Sequence, residues 1–264
     1  MPIQKEKTGL DDFLLFGVDP KNRIIHFGIT PDDAIEDEFT SFTDKTVEIT
    51  VRGMNRMIHE DPKAPISLYV HSGGGSLLST FYLIDFILSS KCQVKFYGGG
   101  YICSAATLLM AVCDERNLYP NTQIMLHEHY SVADGKHSNI KIDALFGDKL
   151  HEKMCKMYAE NSFMDEKFYK HLIGQGRDVW MSAEEAIVLG LADQIIPQSK
   201  RGGFRKIRGE HLKSPPPEAK LKKVIESLNK RLLREPQPFE IKVNIPQKDE
   251  CDPNLTVDDL SQEQ

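Results

Sequence analysis

The sequence predicts an α/β fold with a largely parallel sheet, and three observations carry the prediction. Strand-like runs alternate with segments of helical period. Two of the strand-to-helix joins are glycine runs, SGGGS at 72–76 and GGG at 98–100. The composition, 40% apolar and 27% charged over 264 residues, is that of a soluble globular chain. Strand, glycine turn, helix and strand in that order imply parallel pairing through right-handed crossovers.

Residues 1–22 open with mixed polar residues and hold one short apolar patch, LLFGV, at 14–18. RIIHFG (23–28) reads as a strand. Beyond Pro31, apolar residues at Phe39, Phe42, Val47, Val51, Met54 and Ile58 are spaced for a helix ending near Pro62. ISLYVH (66–71) is the clearest strand, and in the run that follows SGGGS, Leu77, Phe81, Ile84 and Leu88 recur at helical spacing. QVKFY (93–97) reads as a strand, the glycines after it as a turn, and 104–113 as a short buried helix. Residues 115–119 and 122–127 are strand-like on either side of Pro120-Asn121. Residues 138–160 form one long helix with Ile142, Leu145, Leu150, Met154 and Met157 as candidate core positions. Ser182 and Glu185 make a capping-box pattern at the start of a helix that Gly190 can end. The strand-like DQII then leads to Pro197.

The texture changes at 198. A basic loop, RGGFRKIRG, precedes the stiff spacer Pro215-Pro216-Pro217. Residues 218–234 are a basic amphipathic helix, and the remainder, rich in Pro, Asp and Glu, reads as a mobile tail. Charge follows the same divisions: 1–199 carry net −9, 200–234 net +9 and 235–264 net −6.

Several classes are excluded. A 30.0 kDa chain buries roughly 32,000 Å² on folding, so it needs no disulfide or metal staple. The longest apolar run, Ala105 to Cys113, is far short of the ~20 residues that span a bilayer, so no membrane partner is expected. The N-terminus MPIQKEKTGLDD has no apolar signal core, which argues for a cytoplasmic protein. Five cysteines without C-x-x-C spacing fit free thiols in a reducing compartment and argue against a zinc site; no cofactor is implied.

Four places can carry chemistry. SGGGS lets backbone N–H groups face a ligand at a helix start, for a phosphate or an oxyanion, or it is merely a tight turn. No G-x-x-x-x-G-K-[ST] occurs, so it is not a P-loop. Ser104 follows the second glycine run at the start of a helix, where a serine is also the ordinary N-cap. With Ile102 two residues before it, this is not the G-x-S-x-G elbow. Cys103 alternates away from Ser104 and reads as buried packing. His127 ends an apolar strand, at the sheet edge where α/β ligands bind, with His129 a more solvated alternative. Asp178 precedes the single tryptophan, Trp180, in GRDVWMSAEEA; a carboxylate there is either a surface turn residue or the partner of an imidazolium.

In this order, ISLYVHSGGGS, GYICSAA, QIMLHEH and GRDVWMSAEEAIVLGLADQII resemble the Clp protease proteolytic subunit, a serine peptidase that stacks as rings around a chamber. The resemblance covers about residues 23–197. It implies a ClpP/crotonase-like repeated β-β-α superhelix with a strand-helix handle at 130–160, and leaves 198–264 as a helical and disordered extension. It makes Ser104 the nucleophile, His127 the general base and Asp178 the third triad member. The N–H groups of Gly75 and Ala105 become the oxyanion hole. It further implies protein or peptide substrates, a homo-oligomer of stacked heptameric rings and an AAA+ unfoldase as partner. The chain departs from the family at Gly73, where a proline is usual, and at Cys103 and Ala105, where Ala and Met are usual. Glu128 and His129 replace Gln-Pro. Tyr69 matches the family's aromatic docking pocket, whereas Ser67 replaces an aromatic.

Three other readings differ in what they predict. A processing protease of the same fold, such as one maturing a viral shell, would use the extension as a tethered or self-cleaved tail. A crotonase-like acyl-CoA enzyme would need no Ser-His-Asp set. Nucleic-acid binding through the +9 arm, as an accessory function, is disfavoured, because a solvated basic helix face is the commoner explanation of such an arm.

Overall fold

The computed structural model describes residues 17–27, 41–130, 134–197 and 216–231. The acidic tail, the basic loop, Phe39, the start of LLFGV and the middle of the handle strand lie outside them.

Among the described residues the chain forms an eight-stranded sheet. Its backbone is β1 (Val18–Asp19), β2 (Ile24–Phe27), β4 (Ile66–Ser72), β6 (Val94–Cys103), β7 (Glu115–Leu118) and β10 (Gln194–Ile195), paired in that order. All of these pairs are parallel except β1 with β2. β8 (Gln123–Leu126) pairs parallel with β6, and β9 (Val179–Ser182) pairs antiparallel with β8. A separate two-stranded pair joins β3 (Ser41–Phe42) to β5 (Gly74–Gly75).

The helices are α1 (Asp44–Glu60), α2 (Leu77–Ser89), α3 (Ala105–Val112), α4 (His137–Glu160), α5 (Glu166–Ile173), α6 (Ala183–Leu189) and α7 (Glu218–Arg231). This is the α/β architecture expected, with local corrections. The first predicted helix starts only at Asp44, because Thr43 caps it in a reciprocal box with Thr46; Phe42 is in a strand. The capping box of Ser182 and Glu185 opens α6, and Gly190, at φ +81°, closes it.

The three glycines at 98–100 are not a turn. They lie inside β6, whose first half pairs with β7 and second half with β8. Against β4 the register slips there: Val70 pairs with Gly98, but Ser72 with Ile102. Gly100 is at φ +67°, and a Cβ on it would sit 2.3 Å from His71 Nδ1. Glycine supplies the irregularity that lets one strand serve two neighbours.

One contiguous apolar core runs through the sheet and helices. Leu150 and Met154 of α4 are buried in it, with Met157 packed against it. Ile142 and Leu145, expected there as well, are 63% and 64% exposed, because the first half of α4 has no apolar partner within the described chain. Helix α7 is tied to the core through Leu221, Ile225 and Leu228, which repeat at helical spacing and pack toward α6 and β9. A buried ion pair locks the far edge. Arg116 Nη2 lies 2.7 Å from Asp193 Oδ1, the Arg116 N–H donates to Oδ2 at 2.7 Å, and Nη1 donates to the Asn161 carbonyl at the end of α4.

Candidate active site

The site forms where β6 and β8 end and β9 begins. β6 stops at Cys103 and α3 begins at Ala105, so Ser104 alone makes the bend. It does so at φ +55° and ψ −128°, a region that L-residues with a side chain rarely occupy. The conformation is held at both ends. The Ser104 N–H donates to the Met125 carbonyl at 2.8 Å, and its carbonyl accepts from the Thr107 N–H at 2.9 Å and the Thr107 hydroxyl at 2.6 Å.

Ser104 occupies the N-cap position without capping the helix. Its Oγ lies 2.7 Å from His127 Nε2 instead. The two residues are 23 apart in sequence and meet because β8 runs parallel to the end of β6. His127 is half-buried, one residue past β8. His129 does not take its place: burial, then the charges of His151 and His127, lower its pKa, and the ring that reaches Ser104 is that of His127.

Asp178 stands one residue before β9. The antiparallel register Leu126↔Val179 continues outward to set it opposite His127. Its side chain is exposed, and no hydrogen bond joins it to the imidazole among the described residues. Its charge is felt next door. Burial, and then Asp178, push the Cys103 thiol up to about 11. Cys103 is itself buried, as the alternation along β6 predicts.

The glycine loop closes the other side. The glycine against Ser104 is Gly74, at φ +104°; a Cβ there would lie 2.6 Å from Ser104 Cβ and 3.1 Å from the Ala105 nitrogen. Gly75, at φ +143°, lies against the Phe42 backbone, and the Ser76 N–H donates to the Phe42 carbonyl at 2.7 Å. The β3–β5 pair therefore fastens the loop from behind. Gly74 is thus the glycine that packs against Ser104, next to Gly75, the residue that the resemblance makes an oxyanion donor; three glycines in a row give no local signal of which one packs against the serine. Ala105 is buried at the first turn of α3, where its N–H is one of the helix's unpaired amino-terminal donors. Among the described residues no group of three or more His, Cys, Asp or Glu side chains is arranged for a metal, and no helix is long and apolar enough to cross a membrane.

A hydroxyl held against an imidazole at a strained strand-to-helix bend, beside a helix amino terminus and a glycine loop, can act as a nucleophile with an adjacent base. The family model for Clp protease matches residues 39–199. The chain is similar to ATP-dependent Clp protease proteolytic subunit 2 of Corynebacterium efficiens, 31% identical over 139 residues that make up 52% of this chain and 69% of that protein. Its counterpart in Treponema denticola is 33% identical over 138 residues, 52% of this chain and 68% of that one. The ATP-dependent Clp protease proteolytic subunit of Bacteroides thetaiotaomicron is 29% identical over 195 residues, covering 73% and 81% of the two chains. The matched span takes in the serine bend, the imidazole strand and the glycine loop alike, and the chain belongs to the Clp protease family of serine-type peptidases.

Proposed function

We propose that this chain hydrolyses peptide bonds through Ser104, His127 and Asp178. Ser104 Oγ attacks the scissile carbonyl while His127 Nε2 takes its proton. The imidazolium returns that proton to the departing amine, and water, activated by the same ring, releases the acyl group. Asp178 steadies the imidazolium from the neighbouring strand, and the N–H groups of Gly75 and Ala105 hold the developing oxyanion. The observation that carries this reading is the 2.7 Å contact between Ser104 Oγ and His127 Nε2 at a positive-φ bend. For Asp178 the support is the β8–β9 register. The missing hydrogen bond to His127 is expected to close with substrate bound, as catalytic contacts tighten in the complex.

The peptidase unit is taken as 23–197, with α7 as an appended brace. A closed chamber of several copies is supported by the first half of α4, where Ile142, Leu145 and Phe146 are exposed on a helix that a second copy can cover. The chain has no P-loop, and the relatives are described as ATP-dependent, so unfolding of protein substrates falls to a partner ATPase. Unpaired Cys92, Cys103, Cys113 and Cys155 support a cytoplasmic setting.

The test is Ser104→Ala. Hydrolysis of small fluorogenic peptides is expected to fall by up to ~10⁶-fold, as in serine peptidases stripped of their nucleophile, and fluorophosphonate labelling is expected to vanish with it. Undiminished peptide cleavage by the variant overturns the assignment.

A further inference from the structure

The bend at Ser104 is tied to a distant helix by two hydroxyls. The Thr107 hydroxyl, which donates to the Ser104 carbonyl at 2.6 Å, also lies 2.6 Å from the hydroxyl of Tyr158 near the end of α4. Both side chains are buried, and each lies in a different helix. A threonine hydroxyl has one proton, and here it goes to Ser104, so the phenol must donate to Thr107. Burial raises the phenol's pKa and keeps that proton in place. The Tyr158 ring rests against Tyr169 of α5, whose hydroxyl donates to Ser162 Oγ at 2.8 Å. The chain of bonds is therefore anchored at its far end.

The Ser104 carbonyl and the Ala105 N–H belong to one peptide unit. In a planar trans peptide the two point in opposite directions, and no cis peptide occurs among the described residues. Whatever fixes the carbonyl therefore fixes the direction of the N–H. We infer that Thr107 and Tyr158 are positioning residues that aim the Ala105 N–H at the oxyanion, acting through the Ser104 carbonyl. The inference rests on the proposed roles of Ser104 and Ala105.

The experiment compares Thr107→Val, Thr107→Ser, Tyr158→Phe and the Thr107→Val/Tyr158→Phe pair with the unaltered full chain. Steady-state peptide cleavage is normalised to active sites titrated with a fluorophosphonate. An interaction made in the transition state changes kcat and leaves KM alone. Thr107→Val and Tyr158→Phe are each expected to lower kcat about tenfold, a fraction of the 10²–10³ lost when an oxyanion donor is removed outright. Thr107→Ser is expected to restore kcat to within about twofold, since it keeps the hydroxyl, and the double variant to fall no further than the worse single one. If Thr107→Val does not accumulate as folded protein, Tyr158→Phe decides alone. A kcat per titrated site equal to that of the unaltered chain, with only the melting temperature moved, overturns the inference and leaves Ser104 as nucleophile standing. Absence of a fluorophosphonate adduct on Ser104 in the unaltered chain removes the proposed function and the inference together.

Discussion

An alanine at position 74 would place its Cβ 2.6 Å from Ser104 Cβ and 2.9 Å from the Cys103 carbonyl oxygen, with the backbone at φ +104°. Neither the space nor the conformation suits a side chain. Next to it, a Cβ on Gly73 would meet only Tyr101 Cε2, at 3.9 Å. Gly74→Ala is therefore expected to cut kcat/KM at least about 100-fold by displacing the serine, while Gly73→Ala stays near the unaltered rate; peptide kinetics on the pair check it. Cys103 gives a pH-dependent prediction. Its thiol, raised to about 11, is the weakly reactive neutral form at every lower pH, and the thiolate fraction grows only as pH rises towards that value. At pH 8 about one thiol in a thousand is ionised. Intact-mass analysis after iodoacetamide at pH 8 should show no adduct on Cys103 in the native chain and a full one after denaturation. Residues of this kind were unevenly legible in the sequence. The burial of Cys103 followed from strand alternation. The meeting of Ser104 with His127 did not follow from spacing, because it depends on which strands pair, and only the resemblance of the surrounding motifs pointed to it.

Two elements show what periodicity can and cannot carry. Helices α2 and α4 and the caps of α6 were legible because apolar spacing and capping chemistry are local. The glycines of β6 misled, because glycine reports freedom of φ, which a bulge uses as readily as a turn. The β3–β5 pair and α5 went unread; two-residue strands carry no period, and α5 is only two turns long. Elements also depend on single buried contacts. Arg116 holds β7 to the approach of β10 and to the end of α4. Arg116→Leu would leave the Asp193 carboxylate buried without its counter-charge, and is expected to cost about 3–5 kcal/mol in chemical denaturation. A loss under 1 kcal/mol would mean that Asp193 finds water or another donor.

At the scale of the whole molecule, one exposed stripe carries most of the meaning. The apolar residues of the first half of α4 have the spacing of a core face, and the sequence reading assigned Ile142 and Leu145 to this chain's own interior. The period of a helix marks a face suited to cover, and under the proposed assembly that cover comes from a second copy. Ile142→Glu combined with Leu145→Glu should leave the fold's melting temperature nearly unchanged, since both sites are exposed in the single chain. It should lower the sedimentation coefficient of the assembled particle and its peptidase rate. An unchanged particle would remove α4 from the contact between copies. Helix α7 has a practical consequence of a different kind. The family match ends at residue 199, yet Leu221, Ile225 and Leu228 lie beyond it and cover α6 and β9. A shortened gene cut at that boundary would yield a polypeptide with a greasy scar beside the strand that follows Asp178, prone to clump on expression.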